Sequence, residues 1–272
     1  MITVTEIEGV HRILMARAIA GHPLYFTAAY WVDGLLIDTG CAHTALELSS
    51  AMAGVPIAQI VNTHDHEDHI GGNAQLQRTR GVRIFAHPET LPILENPRLL
   101  RLQPYRILFW GWPQPSCGEP IGEWVETEHH RFQIIPTPGH APGHVCLYEP
   151  DRKWLFSGDL YIGGKDRVLR LDYNVYTIIA SLKKIAQLPL TRLFAGSGTV
   201  RDDPGSDIRE KIEYLEGLGE EIRRLHNSGM SVAAIRDRLF GSESLIRYVT
   251  LGHFSSTNLI RSYLENQSST SA

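Results

Sequence analysis

For its first two hundred residues the chain alternates short apolar runs with turns and helix-like stretches. AYWVDGLLIDTG (29–40) holds two apolar runs around Asp33-Gly34, a hairpin signal. IAQIVNT (57–63), VRIFAH (82–87), RFQIIPT (131–137), HVCLYEP (144–150), KWLFSGD (153–159) and LTRLFAGSG (190–198) read as further strands. Residues 44–52 read as a helix, 73–80 as a short helix ended by Gly81, and 176–187 as a helix with Ile178, Ile179, Leu182 and Ile185 on one face. After Pro204 the period becomes helical: 206–227, 231–240 and 256–265 read as three helices, broken at Gly229 and at 241–244. The charged run EKIEYLEGLGEEIRRL within the first of these reads as a solvated helix face. The pattern predicts a mixed α/β domain over 1–204 and a helical C-terminal extension over 205–272 packed on it.

One echo within the first domain concerns chemistry. LLIDTG (35–40) and WLFSGD (154–159) are both apolar strands that end on an aspartate beside glycine. Two similar halves, each delivering an acid at a strand end, suit a pair of sheets meeting at one cleft. NPRLLRLQPYRILFWGWPQPSCGEP (96–120) has no clean period. It reads as a buried irregular crossing or, better, as a loop covering a pocket, with Tyr105, Phe109, Trp110 and Trp112 as candidate substrate-binding residues.

Composition narrows the class. The chain has 272 residues, 43% hydrophobic and 21% charged, enough to bury a core without disulfides. Net charge is −4 and no Lys/Arg run forms a nucleic-acid patch, which disfavours a polyanionic partner. Cys41, Cys117 and Cys146 form no C-x-x-C pair, which fits a reducing compartment. Glu6, Glu8, His11 and Arg12 interrupt the apolar stretch a signal peptide needs, and no segment approaches the roughly 20 apolar residues of a membrane span. The expectation is a cytoplasmic protein with a small-molecule substrate and no membrane association. Its oligomeric state stays open, a homodimer included.

The densest chemistry lies at THDHEDHIGGN (63–73), where three histidines and three carboxylates occupy the six positions from His64 to His69. Such side chains are poor core material unless something pairs them. In an extended segment His64 and His66 point the same way and could grip one cation. Asp68 and His69 project differently as the chain turns, and suit a second. Gly71-Gly72 supplies a sharp turn before the next helix. Imidazole with carboxylate suits zinc, and iron or manganese fit the same set. PTPGHAPGH (136–144) offers His140 after one strand, and FSGD offers Asp159 at the end of the next.

THDHEDH, TPGHAPGH and SGD, in that order, resemble the motifs of the metallo-β-lactamase superfamily, over roughly residues 10–200. The resemblance implies a four-layer αββα sandwich with metal at one edge of two packed sheets, close to the glyoxalase II-like members. It implies that His64, His66 and His140 hold one zinc ion, that Asp68 and His69 hold a second, and that Asp159 bridges them. Asp38 in LLIDTG would orient a ligand histidine, and Asp65 is a further candidate for that role. The family's late histidine between two glycines is replaced here: LFAGSGTV places Ser197 at that position, which weakens the second site, so one or two ions fit. His253, in TLGHFSSTN, is a candidate replacement. His144 reads as a hydrogen-bonding neighbour rather than a ligand.

A cation with an open position lowers the pKa of bound water from about 15.7 to roughly 7. The implied reaction is therefore hydrolysis by a metal-bound hydroxide, with Asp68 and Asp159 as the candidate catalytic carboxylates. A small acyl substrate, thioester or lactone, fits the aromatic stretch. Two alternatives stand beside it: a phosphodiesterase or nuclease of the same superfamily, and a non-hydrolytic ligand-binding protein whose second metal site has degenerated.

Overall fold

A computed structural model describes residues 1–265. The Asp33-Gly34 turn forms with both residues at positive φ (49° and 84°), as a tight hairpin of matched twist requires. It joins two strands of a seven-stranded sheet. In chain order these strands are β1 (Ile2–Ile7), β2 (Val10–Met15), then, after a small hairpin of β3 (Ala18–Ile19) and β4 (His22–Pro23), β5 (Thr27–Val32), β6 (Leu35–Ile37), β7 (Gln59–Val61), β8 (Arg83–Ala86) and β9 (Glu119–Pro120). The first four pair antiparallel, and β6 to β9 run parallel. The second sheet has the order β10 (Trp124–Glu126), β11 (Arg131–Pro136), β12 (Val145–Glu149), β13 (Trp154–Gly158), β15 (Arg192–Ala195), β16 (Val200–Asp202), with β13 and β15 parallel.

The two sheets face each other across one apolar layer. Tyr30, Val32, Leu35, Ile37 and Val61 from the first meet Phe132, Leu147, Trp154, Phe156 and Phe194 from the second. Phe156 and Phe194 stack at 4.7 Å and 11°, and Tyr30 approaches both edge-on. The other face of the first sheet is covered by helices. They supply Leu48 and Met52 of α1 (Ala45–Ala51) with its flank, Ile70 of α2 (Glu67–Ile70), Leu76 of α3 (Asn73–Arg80) and Leu94 of α4 (Leu91–Glu95). Polar bonds fix how the sheets meet: the Tyr30 hydroxyl donates to Ala195 O (2.6 Å), Ala28 N–H to Gly196 O (2.7 Å) and Val145 N–H to Thr63 O (2.8 Å). At one end of this layer lie the C-terminal ends of β6, β7, β11, β13 and β15.

Two expectations change. The chain divides into compact units of Met1–Ile162 with Leu190–Pro204, and of Gly163–Pro189 with the residues from Gly205 on. Residues 163–189, assigned above to the first domain, thus belong with the C-terminal helices, and 266–272 of the expected extension lie outside the described residues. The reason is packing that a linear reading misses. Helix α6 (Val175–Ile185) gives Val175 N–H to Ser262 Oγ (3.1 Å) and the Tyr176 hydroxyl to Tyr263 O (3.0 Å). The other helices of this unit are α7 (Gly205–Asn227), α8 (Val232–Phe240), α9 (Leu245–Val249) and α10 (Ser256–Glu265), with a two-stranded ribbon of β14 (Leu169–Arg170) and β17 (Phe254–Ser255).

Second, 96–120 is not irregular throughout, since it holds helix α5 (Pro104–Trp110). Arg106 is the one buried residue of α5, so the helix carries no apolar period to read. Among the described residues no helix is long and apolar enough to cross a membrane.

The intersheet layer generates one prediction. Phe194→Ala removes a fully buried ring from it and should lower unfolding free energy by about 3–5 kcal/mol. Leu46→Ala, at a side chain 69% exposed, should change it by less than about 0.5 kcal/mol. Urea titration of both variants checks the contrast.

Candidate metal centre

The cluster is assembled around Asp38, which follows β6 in the left-handed region (φ 60°) and is almost fully buried. Its Oδ1 accepts the Thr63 N–H (2.8 Å), and its Oδ2 accepts the Thr63 hydroxyl (2.8 Å) and His69 Nδ1 (2.7 Å). The Thr63 hydroxyl has one proton and gives it to Asp38, so toward His64 Nδ1, 3.0 Å away, it is an acceptor. Both histidines therefore carry their proton on Nδ1 and turn an Nε2 lone pair inward.

Those lone pairs meet others. His64 Nε2 lies 3.0 Å from His66 Nδ1, which lies 2.9 Å from His140 Nε2. Ring nitrogens bound tetrahedrally to one zinc ion stand roughly 3.3 Å apart, close to this spacing. His64, His69 and Asp159 form a second converging group. His69 Nε2 faces Asp159 Oδ1 at 3.5 Å and Asp68 Oδ2 at 3.8 Å, while Asp159 Oδ2 faces His140 Nε2 at 3.5 Å. Asp159 thus reaches both groups. His69 Nε2 is buried with no hydrogen-bond partner, which is costly for a polar atom. A cation at this point would satisfy it, so the donor set fits a divalent metal: three imidazoles in one group, two imidazoles and a carboxylate in the other, with Asp68 outside that group at 3.8 Å from His69 Nε2.

The charges point the same way. Burial first, then the Glu67 and Asp159 charges, push Asp68 up to about 7, against His69 and Arg106. Burial opposes the charge on His69, but Asp38, Asp159 and Asp68 together raise it well above the ordinary histidine value. Burial also opposes ionisation of Asp159, yet His69 and then His140 and His144 hold it below the usual carboxylate range. The cluster draws in positive charge.

The supporting shell is only partly the one expected. His144 Nε2 accepts the Asp159 N–H (3.1 Å), and its Nδ1 lies 2.8 Å from the Thr137 hydroxyl. Burial lowers its pKa to about 4, so it stays neutral and positions the Asp159 backbone. Asp65 is half-buried between His64 and His66. Gly71 and Gly72 adopt ordinary right-handed dihedrals (φ −63° and −89°), so they make no special turn. Glycine is needed there for another reason: a methyl on Gly71 would overlap Ala42 N, and one on Gly72 would lie 2.6 Å from Thr39 O. Ser197 stands beside Gly196 and turns its hydroxyl to Thr199 Oγ1 (3.2 Å). A methyl on Gly196 would overlap Asp159 Oδ1 and lie 2.8 Å from His69 Cε1.

His253 belongs to the other unit, with Nε2 3.9 Å from Asp172 and its ring against Phe254. Neither converging group includes it. Of the four aromatic candidates, Trp110 makes the informative contact. Its ring meets Tyr25 edge-on at 5.6 Å, and Tyr105 and Phe109 flank it at 6.4 and 5.7 Å, while Trp112 is half-buried. Tyr25, Thr63 and Thr27, whose hydroxyl donates to Asp68 O (2.9 Å), escaped the sequence reading. Only the position of Thr63 beside His64 signals any of them.

The profile of the metallo-beta-lactamase superfamily matches residues 23–197. The chain is 32% identical over 179 residues to hydroxyacylglutathione hydrolase GloC of Haemophilus influenzae, covering 61% of this chain and 81% of that one. It is 33% identical over 154 residues to the hydroxyacylglutathione hydrolase of Maricaulis maris, covering 56% of this chain and 52% of the relative, so it spans about half that relative's length. The crystal structure of a metallo-beta-lactamase family protein from Thermus thermophilus superposes with a TM-score of 0.69 at 22% identity, over 96% of this chain and 95% of that one. The fold class is the sandwich that the motifs imply. With its paired sheets and its ordered histidine and aspartate motifs, this chain belongs to the metallo-β-lactamase superfamily.

Proposed function

We propose that the protein is a metal-dependent hydrolase of a small acyl substrate, a thioester or lactone. The observation that carries this reading is the buried, unpartnered His69 Nε2 at the meeting point of two ligand groups. His64, His66 and His140 would hold one divalent ion, and Asp68 and His69 a second, with Asp159 between. A divalent ion with an open position polarises a carbonyl oxygen and acidifies water to near neutral pH. The chain's own groups do the rest. Asp38 and Thr63 fix the histidine tautomers. Asp159 would keep an ionised carboxylate within reach of both groups, a position from which it can accept a proton in transfer. Tyr25 and Trp110 offer an aromatic face beside the cluster. The names of the two curated relatives, both acyl hydrolases, support an acyl substrate over a phosphodiester, as does the net charge of −4. Zinc suits the three-imidazole group. A cytoplasmic, reducing setting suits cysteines that form no disulfide.

Metal content of the purified protein, with rates on a thioester, a lactone and bis-p-nitrophenyl phosphate, tests this reading. The thioester or lactone should be the substrate turned over, and His66→Ala should lose both metal and rate; equal rates in wild type and variant would remove the proposal. Asp38→Ala should weaken metal binding by roughly 10–100-fold, the usual cost of losing a group that orients a ligand histidine, read by competition with a chromogenic chelator. Gly196→Ala should lower metal affinity at least about ten-fold by displacing Asp159; unchanged titration would show that Asp159 takes no part. Ser197→His should raise the occupancy of the second position toward two ions per chain, read as stoichiometry in the same titration.

A further inference from the structure

Glu67 is an unexplained charge. It stands between His66 and Asp68, yet belongs to neither ligand group and is fully buried. Burying a carboxylate is expensive unless it is paired with good geometry. Its partner comes from 39 residues away: Arg106 Nε donates to Glu67 Oε1 at 2.7 Å, and Arg106 Nη2 donates to Oε2. Arg106 is itself 4% exposed. Two parallel bonds from a planar guanidinium fix direction as well as distance, which a lysine cannot do.

The element this pair holds is α5. At seven residues it is too short to be stable alone, and Arg106 is its only buried residue. Its placement therefore rests on a charge rather than on an apolar face. Two further ties, His43 Nε2 at 3.0 Å from Ile107 O and Arg17 on Leu108 O, grip the backbone at its far end.

From this helix Ile107 (37% exposed) and Leu108 (47% exposed) face solvent, and Trp110 sets its ring against Tyr25. The segment carrying Tyr25 and the exposed Phe26 is tied to the same turn from its own side, through Thr27 to Asp68 O. Two apolar segments are thus fastened to adjacent residues of one ligand-bearing turn, α5 to Glu67 and 25–27 to Asp68. Trp110 Nε1 is a buried donor with no acceptor, so this wall also keeps one polar group unused.

We infer that the buried Glu67–Arg106 pair is a strut that sets α5 against the 64–69 turn, which makes Arg106 a positioning residue for an apolar acyl chain lying along α5 and Tyr25. The substrate class rests on the hydrolase reading above; the strut does not.

Two variants separate this role from plain stabilisation. Arg106→Lys keeps the charge and loses the fork. Glu67→Leu with Arg106→Met replaces the pair by apolar side chains, an exchange that is often neutral or stabilising. The readouts are metal content, kcat and KM on acetyl and octanoyl thioesters, and hydrogen exchange of amides 105–111. Both variants should keep wild-type metal content. KM for the octanoyl substrate should rise about ten-fold, with kcat and the acetyl KM within two-fold, and amides 105–111 should exchange at least ten-fold faster. Wild-type octanoyl KM in both variants would overturn the inference, since the pair would then serve stability alone. Loss of metal with a fall in kcat on both substrates would overturn it too, since the pair would then serve the metal centre. If the wild type hydrolyses neither thioester, the hydrolase reading fails by itself. Exchange of 105–111 then still decides the strut: faster in the variants upholds it, unchanged rejects it.

Discussion

The site depends on one buried carboxylate. Asp38 accepts three hydrogen bonds, from Thr63 N–H, the Thr63 hydroxyl and His69 Nδ1. Hydrogen bonds to a charged group contribute roughly 1.5–3 kcal/mol each, which outweighs the roughly 1–2 kcal/mol of a non-glycine residue in the left-handed region. Their larger effect is on protons. By taking Nδ1–H of His69 directly, and of His64 through Thr63, Asp38 makes two Nε2 atoms acceptors that face each other's neighbourhood. Thr63 could not fix both tautomers by itself, because it has a single proton to give.

Fixing tautomers achieves nothing unless the two ligand sets also meet, and this is the work of the sheets. Asp38 and residues 64–69 leave the first sheet, while His140 and Asp159 leave the second. Their mutual position is inherited from the packing of Tyr30, Phe156 and Phe194 and from three bonds that cross between the sheets, Tyr30 to Ala195, Ala28 to Gly196 and Val145 to Thr63. Two of those bonds end at residues that touch the cluster: Gly196 lies against Asp159, and Thr63 against Asp38. Because interiors are close-packed and transmit displacement, the core and the cluster are mechanically one object.

This explains what could be read from the chain. The 64–69 run stood out because no core accounts for so many polar groups, and the strands stood out because both sheets bury one continuous apolar layer. The partners of those groups left weaker traces. Asp38 could be assigned only through the family motif, and Thr63 carries no signal apart from its neighbour. Arg106 was invisible for a physical reason: a helix held by an ion pair has no hydrophobic period, so α5 read as an irregular loop. Gly71-Gly72 was read as a turn because glycine permits positive φ, whereas the structure uses its missing side chain for close approach to 39–42. The boundary at 204 coincides with the division of the chain, but 163–189 fall with the C-terminal helices because α6 finds its partners there, at Ser262 and Tyr263.

The charge balance carries the last step. Besides Asp65, four carboxylates, Asp38, Glu67, Asp68 and Asp159, stand on or against one turn. Arg106 neutralises Glu67, and His69 answers Asp38. Asp68 and Asp159 both face the His69 Nε2, Asp159 faces His140 as well, and burial first, then the neighbouring negative charges, pushes Asp68 up to about 7. A protein side chain placed there as a cation would cure the imbalance but close the site. The family's usual histidine at position 197 would supply a donor and no charge; Ser197 supplies neither, having turned to Thr199. The two groups would therefore differ in hardness: three imidazoles from His64, His66 and His140 in one, and imidazole with the Asp159 carboxylate in the other, with Asp68 close by. Soft and hard divalent ions would be drawn to them unequally, and serine in place of the histidine that the family motif implies would widen that difference.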